Sequence, residues 1–158
     1  MKATKFFAAF CIALLCLYSL ASAARENIVT GYDPTANPTE AVAQAVKQAR
    51  ATGRKVLVIA GGDWCRWCLA LEAFMAKNAE VKAAMDRAFV TVEVYYGEKN
   101  QNTDFFAKLP HAKGYPHFWI LTRDGQVAHS IDTSIIEDGA NGYDKDKVLR
   151  FVRDYGGT

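Results

Sequence analysis

The residues best suited to do chemistry are two cysteines three positions apart, Cys65 and Cys68, in the stretch GGDWCRWC at 61–68. Side chains at this spacing lie on one face of a helix, so the two sulfurs can close a small disulfide. A helix start favours a thiolate on the first cysteine, and a thiolate is the species that exchanges disulfides. Arg66 adds a positive charge beside Cys65. The spacing therefore indicates redox chemistry.

The cysteine pair lies at a predicted junction between a strand and a helix. Residues 55–60 (KVLVIA) form a continuous apolar run with β-branched residues, which is typical of a buried strand. After the pair, Leu71, Phe74 and Met75 follow at helical spacing. This arrangement places Cys65 at the start of the helix and exposes its sulfur more than that of Cys68.

A cysteine pair of this kind is also half of a structural zinc site. Such a site needs a second pair of ligands, and no cysteine follows Cys68. The only histidines, His111, His117 and His129, have no familiar zinc spacing. We therefore predict no metal and no cofactor. A copper(I)-binding module that uses the two thiolates remains an alternative, because soft sulfur ligands suit that ion.

The N-terminal segment Met1–Ala23 has the pattern of a secretory signal. Lys2 and Lys5 supply the positive start, residues 6–17 are almost entirely apolar, and residues 21–23 (ASA) supply a cleavage site. An uncleaved membrane anchor is the alternative, although the apolar run is short for a membrane span. We predict a cleaved signal at 1–23, one domain at 24–158, and a periplasmic or otherwise exported protein.

Cleavage changes both the charge and the cysteine content. It removes Lys2 and Lys5 and leaves 17 basic and 17 acidic residues, a net charge of zero with histidine neutral. It also removes Cys11 and Cys16, so the one remaining pair belongs to the motif. Exported proteins that use disulfides for stability spread them across loops, so a single close pair favours catalysis. The absence of a basic run argues against nucleic acid as a partner.

The remaining pattern predicts an α/β domain. A helix is predicted to begin after Asn37, a typical N-cap residue, with Pro38 as its first residue. Gly53 is predicted to end it. Strong alternation predicts a strand at 89–96, and the turn Arg123-Asp124-Gly125 predicts a hairpin. The other expected elements are helices at 79–87, 103–108 and 144–155, hairpin strands at 117–122 and 126–131, and a loop at 133–143.

Residues 63–68 (DWCRWC), after a buried strand, resemble the active site of the thioredoxin superfamily. They are most similar to exported bacterial thioredoxin-like proteins with D-W-C-x-W-C, and more distantly to the C-terminal domain of DsbD. Tyr115-Pro116, ahead of the run 117–122, is similar to the cis-proline segment of that superfamily. The resemblance implies a thioredoxin-like fold, with a central mixed sheet flanked by helices, and a thiol–disulfide oxidoreductase.

The resemblance also implies roles for the residues. Cys65 would attack the substrate and Cys68 would resolve the mixed disulfide, while Trp64, Tyr115 and Pro116 would shape the substrate groove. We expect a monomer, not inserted in a membrane after cleavage, that exchanges disulfides with protein substrates and with an envelope redox partner. A reductase is favoured over an oxidase. A non-catalytic scaffold that binds partners, through residues 135–136 (II) for example, remains a further alternative.

One departure from the superfamily concerns a buried acid. Thioredoxins carry an aspartate six residues before the first cysteine, where this chain has Ile59. Glu72 lies four residues after Cys68 on the same helix face, and the DsbD domain places a glutamate likewise. We predict that Glu72 takes and returns the Cys68 proton. Glu93 is the alternative proton acceptor. In the alternative interpretation of Glu72, its side chain is simply a solvated residue of the helix. His117 is a weaker acid–base candidate.

Overall fold

The structure, a computed structural model, describes residues 31–157. The predicted signal at 1–23 lies outside the described residues, as does most of the segment that joins it to the domain. In chain order the elements are α1 (Pro38–Thr52), β1 (Lys55–Gly61), α2 (Arg66–Lys77), α3 (Ala79–Ala88), β2 (Phe89–Tyr95), α4 (Thr103–Phe106), β3 (His117–Leu121), β4 (Val127–Asp132), a 3-10 turn (Thr133–Ile136) and α5 (Lys145–Gly156).

The strands form one mixed sheet in the order β2-β1-β3-β4. Strand β1 is parallel to β2 and antiparallel to β3, and β3 pairs antiparallel with β4. The parallel pair needs a crossover, and α2 and α3 supply it. The predicted α/β fold with a central mixed sheet is therefore confirmed.

Alternating side chains divide the core into two layers. Leu57 and Ile59 of β1 face α2, α3 and α5, whereas Val56 and Val58 face α1. Val90, Val92 and Val94 of β2 lie on one face, as the alternation predicts, and that face packs against α1. Consequently β1 is buried on both faces, and its C-terminal end delivers the chain directly to the cysteine pair.

The helix boundaries follow the predicted cap residues. The Asn37 side chain accepts hydrogen bonds from the N–H groups of Thr39 and Glu40 at 3.0 and 3.3 Å, and Gly53 ends α1 with a φ of 74°. Asn78 separates α2 from α3, so the helix predicted at 79–87 starts at the expected residue. Among residues 31–157, no helix is both long and apolar enough to cross a bilayer.

Some predicted boundaries move. The second hairpin strand covers Val127–Asp132, one residue later than expected, because Gly125 takes the left-handed turn conformation (φ 82°) and Gln126 completes the turn. The helical piece expected at 103–108 is limited to Thr103–Phe106. The 133–143 segment begins with a 3-10 turn in which Ile136 is buried but Ile135 is 48% exposed.

Candidate active site

Cys65 and Cys68 form a disulfide at the start of α2, with their Cα atoms 5.2 Å apart. Cys65 is the N-cap residue of that helix, and its Sγ accepts a hydrogen bond from the Cys68 backbone N–H at 3.1 Å. The helix start therefore points an N–H donor at the first sulfur, which is the environment that stabilises a thiolate. Both cysteines are buried in this oxidised state, with Cys65 4% exposed and Cys68 fully buried.

Trp64 is held in place although half of its surface is exposed. Its indole Nε1 donates a hydrogen bond to the Tyr96 carbonyl oxygen at 2.6 Å. A Cβ at Gly62 or at Gly97 would lie 2.5 Å from the same nitrogen, so only glycine fits at these two positions. Trp64 is 53% exposed and forms a fixed aromatic surface next to Cys65.

The peptide bond between Tyr115 and Pro116 is cis, as the resemblance implies. The Tyr115 ring contacts Trp64 edge-to-face at 5.8 Å between centroids and stacks on Tyr96 at 4.8 Å. Burial raises the pKa of Tyr115 to about 12. The buried Thr133 hydroxyl donates to the Pro116 carbonyl oxygen at 2.9 Å, which ties this segment to the 3-10 turn.

The Cys68 sulfur lies against the end of β1, close to a tyrosine from the N-terminal segment. A Cβ at Gly61 would lie 2.5 Å from Cys68 Sγ and 2.9 Å from Tyr32 Cζ. The glycine therefore lets the sulfur and the phenol ring approach the same part of the backbone. Burial, reinforced by the charges of Glu93 and Glu72, raises the pKa of Tyr32 well above its ordinary value. Tyr32 is thus a neutral side chain next to Cys68.

Glu72 and Glu93 line one cavity of about 350 Å³ together with Tyr32. The rest of its wall is mostly apolar and includes Ile59 and Leu71. Glu72, one turn after Cys68 on α2, is half-buried. The structure therefore brings both predicted proton acceptors to the same side of the sheet, next to the tyrosine that borders Cys68.

Glu93 is held by the backbone of the N-terminal segment. The Gly31 N–H donates to its carboxylate at 2.7 Å. Burial raises the pKa of Glu93, the Gly31 hydrogen bond partly opposes that rise, and the nearby Glu72 charge adds to it. A perturbed pKa of this kind is common at functional sites.

The segment 133–143 contacts the cysteine helix. The Tyr143 hydroxyl donates to the Trp67 carbonyl oxygen at 3.0 Å, and the two rings meet edge-to-face at 5.8 Å. Trp67 is therefore part of the packing around the core. The Arg66 guanidinium donates to the Asn141 amide oxygen at 3.3 Å. That contact directs the Arg66 guanidinium toward this segment.

The histidines have no shared site among the described residues. His117 is buried on the α1 face of the sheet, with Nε2 2.8 Å from Ser130 Oγ and its ring against Trp119. Burial is the main cause of its lowered pKa. His111 and His129 are exposed, as expected. Within residues 31–157, no group of three or more His, Cys, Asp or Glu side chains could hold a metal ion.

Comparison with known proteins agrees with this geometry. The sequence profile described as thioredoxin-like matches residues 37–122, which span β1, the cysteine pair and β3. The chain belongs to the thioredoxin-like family. No curated protein matches the sequence. The family and the bonded cysteine pair together identify a thioredoxin-like thiol–disulfide oxidoreductase.

Two solved structures share the thioredoxin-like fold at low identity. A disulphide isomerase from Xylella fastidiosa Temecula1 is similar with a TM-score of 0.67 and 22% identity, covering 78% of this chain and 94% of that chain. The oxidised C-terminal domain of Neisseria meningitidis DsbD has a TM-score of 0.58 and 16% identity, covering 80% and 99%.

Three residues at the site were not predicted from the sequence. Tyr32 belongs to a stretch with Gly31 and Pro34 that lacks periodicity, so nothing there indicates a contact with Cys68. Thr133 begins a segment that the sequence shows only as a loop. Tyr96 follows the alternating run of β2 and was assigned to that strand. In this thioredoxin-like chain, long-range contacts give all three their place in the site.

Proposed function

We propose that the protein is an exported reductase of protein disulfides, with Cys65 as the nucleophile and Cys68 as the resolving cysteine. The observation that carries this proposal is the position of Cys65 as the N-cap of α2. There its sulfur accepts the Cys68 N–H while an exposed aromatic surface lies alongside. Donors at a helix start favour the thiolate that begins exchange. The signal-like segment at 1–23 supports export.

The reaction proceeds in two exchanges. The Cys65 thiolate attacks one sulfur of a substrate disulfide; a Cys65–substrate disulfide forms, and the other substrate sulfur leaves as a thiolate that takes a proton. Cys68 then loses its proton and attacks the Cys65 sulfur. The substrate sulfur that was bonded to Cys65 leaves as a thiolate, and the Cys65–Cys68 disulfide closes. Two electrons have passed to the substrate, and an envelope dithiol protein restores the reduced pair by the reverse exchanges.

Substrate binding would use the surface around Trp64, Tyr115 and Pro116. Trp64 and Tyr115 are in contact, and Tyr115 joins the cis bond to Pro116. An extended substrate chain that lies along this surface would bring its sulfur to Cys65. In this proposal the protein acts as a monomer on one substrate disulfide at a time.

Glu72 is the acceptor we propose for the Cys68 proton, with Glu93 as the alternative. Support comes from the shared cavity and from Tyr32, which borders both the cavity and the resolving sulfur. Since a buried thiol ionises poorly, an acceptor nearby speeds resolution. A carboxylate beside the thiol can take the proton in one half of the cycle and return it in the other.

Reduction of insulin disulfides with dithiothreitol tests the function, and equilibration with glutathione gives the direction. A reductase should turn over insulin and have a Cys65–Cys68 potential well below that of glutathione. A pair that glutathione reduces readily would instead mark an oxidase. In parallel, the Cys68→Ser variant should trap mixed disulfides with substrates while Cys65→Ser traps far fewer. The opposite pattern would reverse the two assignments, and no turnover by the wild type would favour a scaffold.

A further inference from the structure

The exposed face of Trp64 opens onto a second cleft, of about 640 Å³, on the side of the loop that follows β2. Trp64, Tyr95 and Tyr96 supply its aromatic wall, and the charged residues at its edge are Asp63, Glu98 and Lys99. Tryptophan is enriched at interfaces because it combines a large apolar face with a polar N–H group, so the fixed and half-exposed Trp64 is suited to contact a substrate.

The charge of this cleft is negative. The Lys99 ammonium group pairs with the Asp63 carboxylate at 2.5 Å, and this pair neutralises itself. Hydrogen bonding from Lys99 is the main cause of the lowered pKa of Asp63. Glu98 is the remaining charged residue at the cleft, and the Asp63–Lys99 pair does not neutralise it. An aromatic wall with one carboxylate at its edge is suited to a cation.

The loop after β2, which carries Glu98 and Lys99, is preorganised. Gly97 and Asn100 exchange backbone hydrogen bonds at 3.1 and 3.2 Å. The Asn100 side chain donates to the Pro34 carbonyl oxygen at 2.9 Å, and the Asn102 side chain donates to that of Tyr95 at 2.8 Å. Because the loop is already ordered, a bound side chain would not have to organise it.

We propose that this cleft is a subsite for a basic side chain, arginine or lysine, near the reacting cysteine of the substrate polypeptide. The cation would lie on the Trp64 face with Glu98 as its counter-ion, while the substrate sulfur meets Cys65. This inference rests on the proposed function and adds a sequence preference to it. The mature chain has no net charge, so the preference would come from this local arrangement.

The test uses peptides whose single cysteine carries 5-thio-2-nitrobenzoate. When the Cys65 thiolate attacks the peptide sulfur, the new disulfide forms and the coloured thiolate leaves. Arginine is placed two residues before or two residues after the cysteine, and its uncharged isostere citrulline gives the matched peptide. We expect the arginine peptide of one series to react about threefold faster or more with the reduced protein, as for an exposed cation–π contact.

Two variants separate the cleft from the general field of the protein. Glu98→Gln should bring the arginine-to-citrulline ratio toward one. Asp154→Asn, an equal change of charge on the exposed face of α5, should leave the ratio as in the wild type. Exchange at equal rates for both peptides in both series, or an equal loss of preference in the two variants, would overturn the subsite. Failure of every peptide to react would instead overturn the proposed exchange function.

Discussion

Ile59 and Glu93 are paired across the parallel strands β1 and β2, and both side chains line the same cavity. In thioredoxins an aspartate occupies the position that Ile59 has here, so this chain carries an acid on the neighbouring strand instead. The cross-strand neighbour of Ile59 shares its side of the sheet, which keeps the carboxylate near Glu72 and Tyr32. This chain therefore has a carboxylate on β2, one strand away from the β1 position that the aspartate has in thioredoxins.

The shared cavity leads to a prediction about resolution. Glu72→Gln should slow the release of substrate from the mixed disulfide several-fold near neutral pH, because Cys68 loses the acceptor for its proton. The first attack by Cys65 should keep its rate. Stopped-flow measurement of a labelled mixed disulfide separates the two steps, with Glu80→Gln, on the exposed face of α3, as the control.

The same measurement on Glu93→Gln decides between the two carboxylates. A normal release rate in Glu72→Gln with slow release in Glu93→Gln would give the role to Glu93. Unchanged release in both variants across the pH range would mean that water takes the proton and that neither carboxylate acts in resolution.

The raised pKa of Glu93 predicts how stability depends on pH. A carboxyl group whose folded-state pKa lies above its ordinary value near 4.5 binds more protons in the folded state. Its stabilising contribution is therefore fully present below pH 4.5 and is lost as the pH rises through the folded-state pKa. Glu93→Gln removes this titration while its side-chain oxygen can still accept the Gly31 N–H.

Urea unfolding at a series of pH values checks this sign. Relative to Glu93→Gln, the wild type should lose unfolding free energy between pH 4.5 and neutrality. A wild type that gains stability over that interval, relative to the variant, would contradict the burial of the carboxyl group.

Gly61 leads to a prediction about packing at the resolving sulfur. A methyl group at this position would lie 2.5 Å from Cys68 Sγ and 2.9 Å from Tyr32 Cζ, so both would have to move. We expect Gly61→Ala to lower the unfolding free energy by about 1–3 kcal/mol, as overpacked cores do. Gly114→Ala is the control, because a Cβ there has no atom within 4 Å. Equal effects of the two substitutions would show that the site tolerates the methyl group.

Thr133 leads to a prediction about the cis-proline segment. Its hydroxyl donates to the Pro116 carbonyl oxygen in a buried environment, so Thr133→Val should cost about 1 kcal/mol or more of stability. Attack on insulin should also slow, because the segment loses an anchor. Thr133→Ser keeps the hydroxyl and should restore both properties. If the serine variant is as slow as the valine variant, the methyl group rather than the hydrogen bond positions the segment.

The main elements could be predicted because their patterns are local. The apolar run of β1, the alternation in β2 and the Gly125 turn each depend on neighbouring residues, and the structure confirms all three. The cysteine pair indicates its chemistry through its spacing, the buried strand before it and the lack of a second ligand pair after it. Alternation could not assign Glu93 to a face, because which face of β2 meets α2 depends on how the sheet packs.

Long-range contacts account for the rest. Tyr32 reaches Cys68 from a segment without periodicity, and the Thr133 hydroxyl reaches Pro116 from what the sequence shows only as a loop. Loops also shift boundaries: α4 ends at Phe106, two residues before the predicted end. Such contacts follow from the complete fold and leave no local signature.

The segment 133–143 holds both halves of the redox site at once. Thr133 binds the cis-proline segment, while Asn141 and Tyr143 bind the first turn of the cysteine helix. The two halves are remote in sequence, and this one short segment contacts both of them. Substitution, insertion or deletion within this stretch would change the spacing between nucleophile and substrate groove while every reacting residue stays intact. Sequence changes in the 133–143 segment alone are therefore a route by which related chains acquire different substrate ranges.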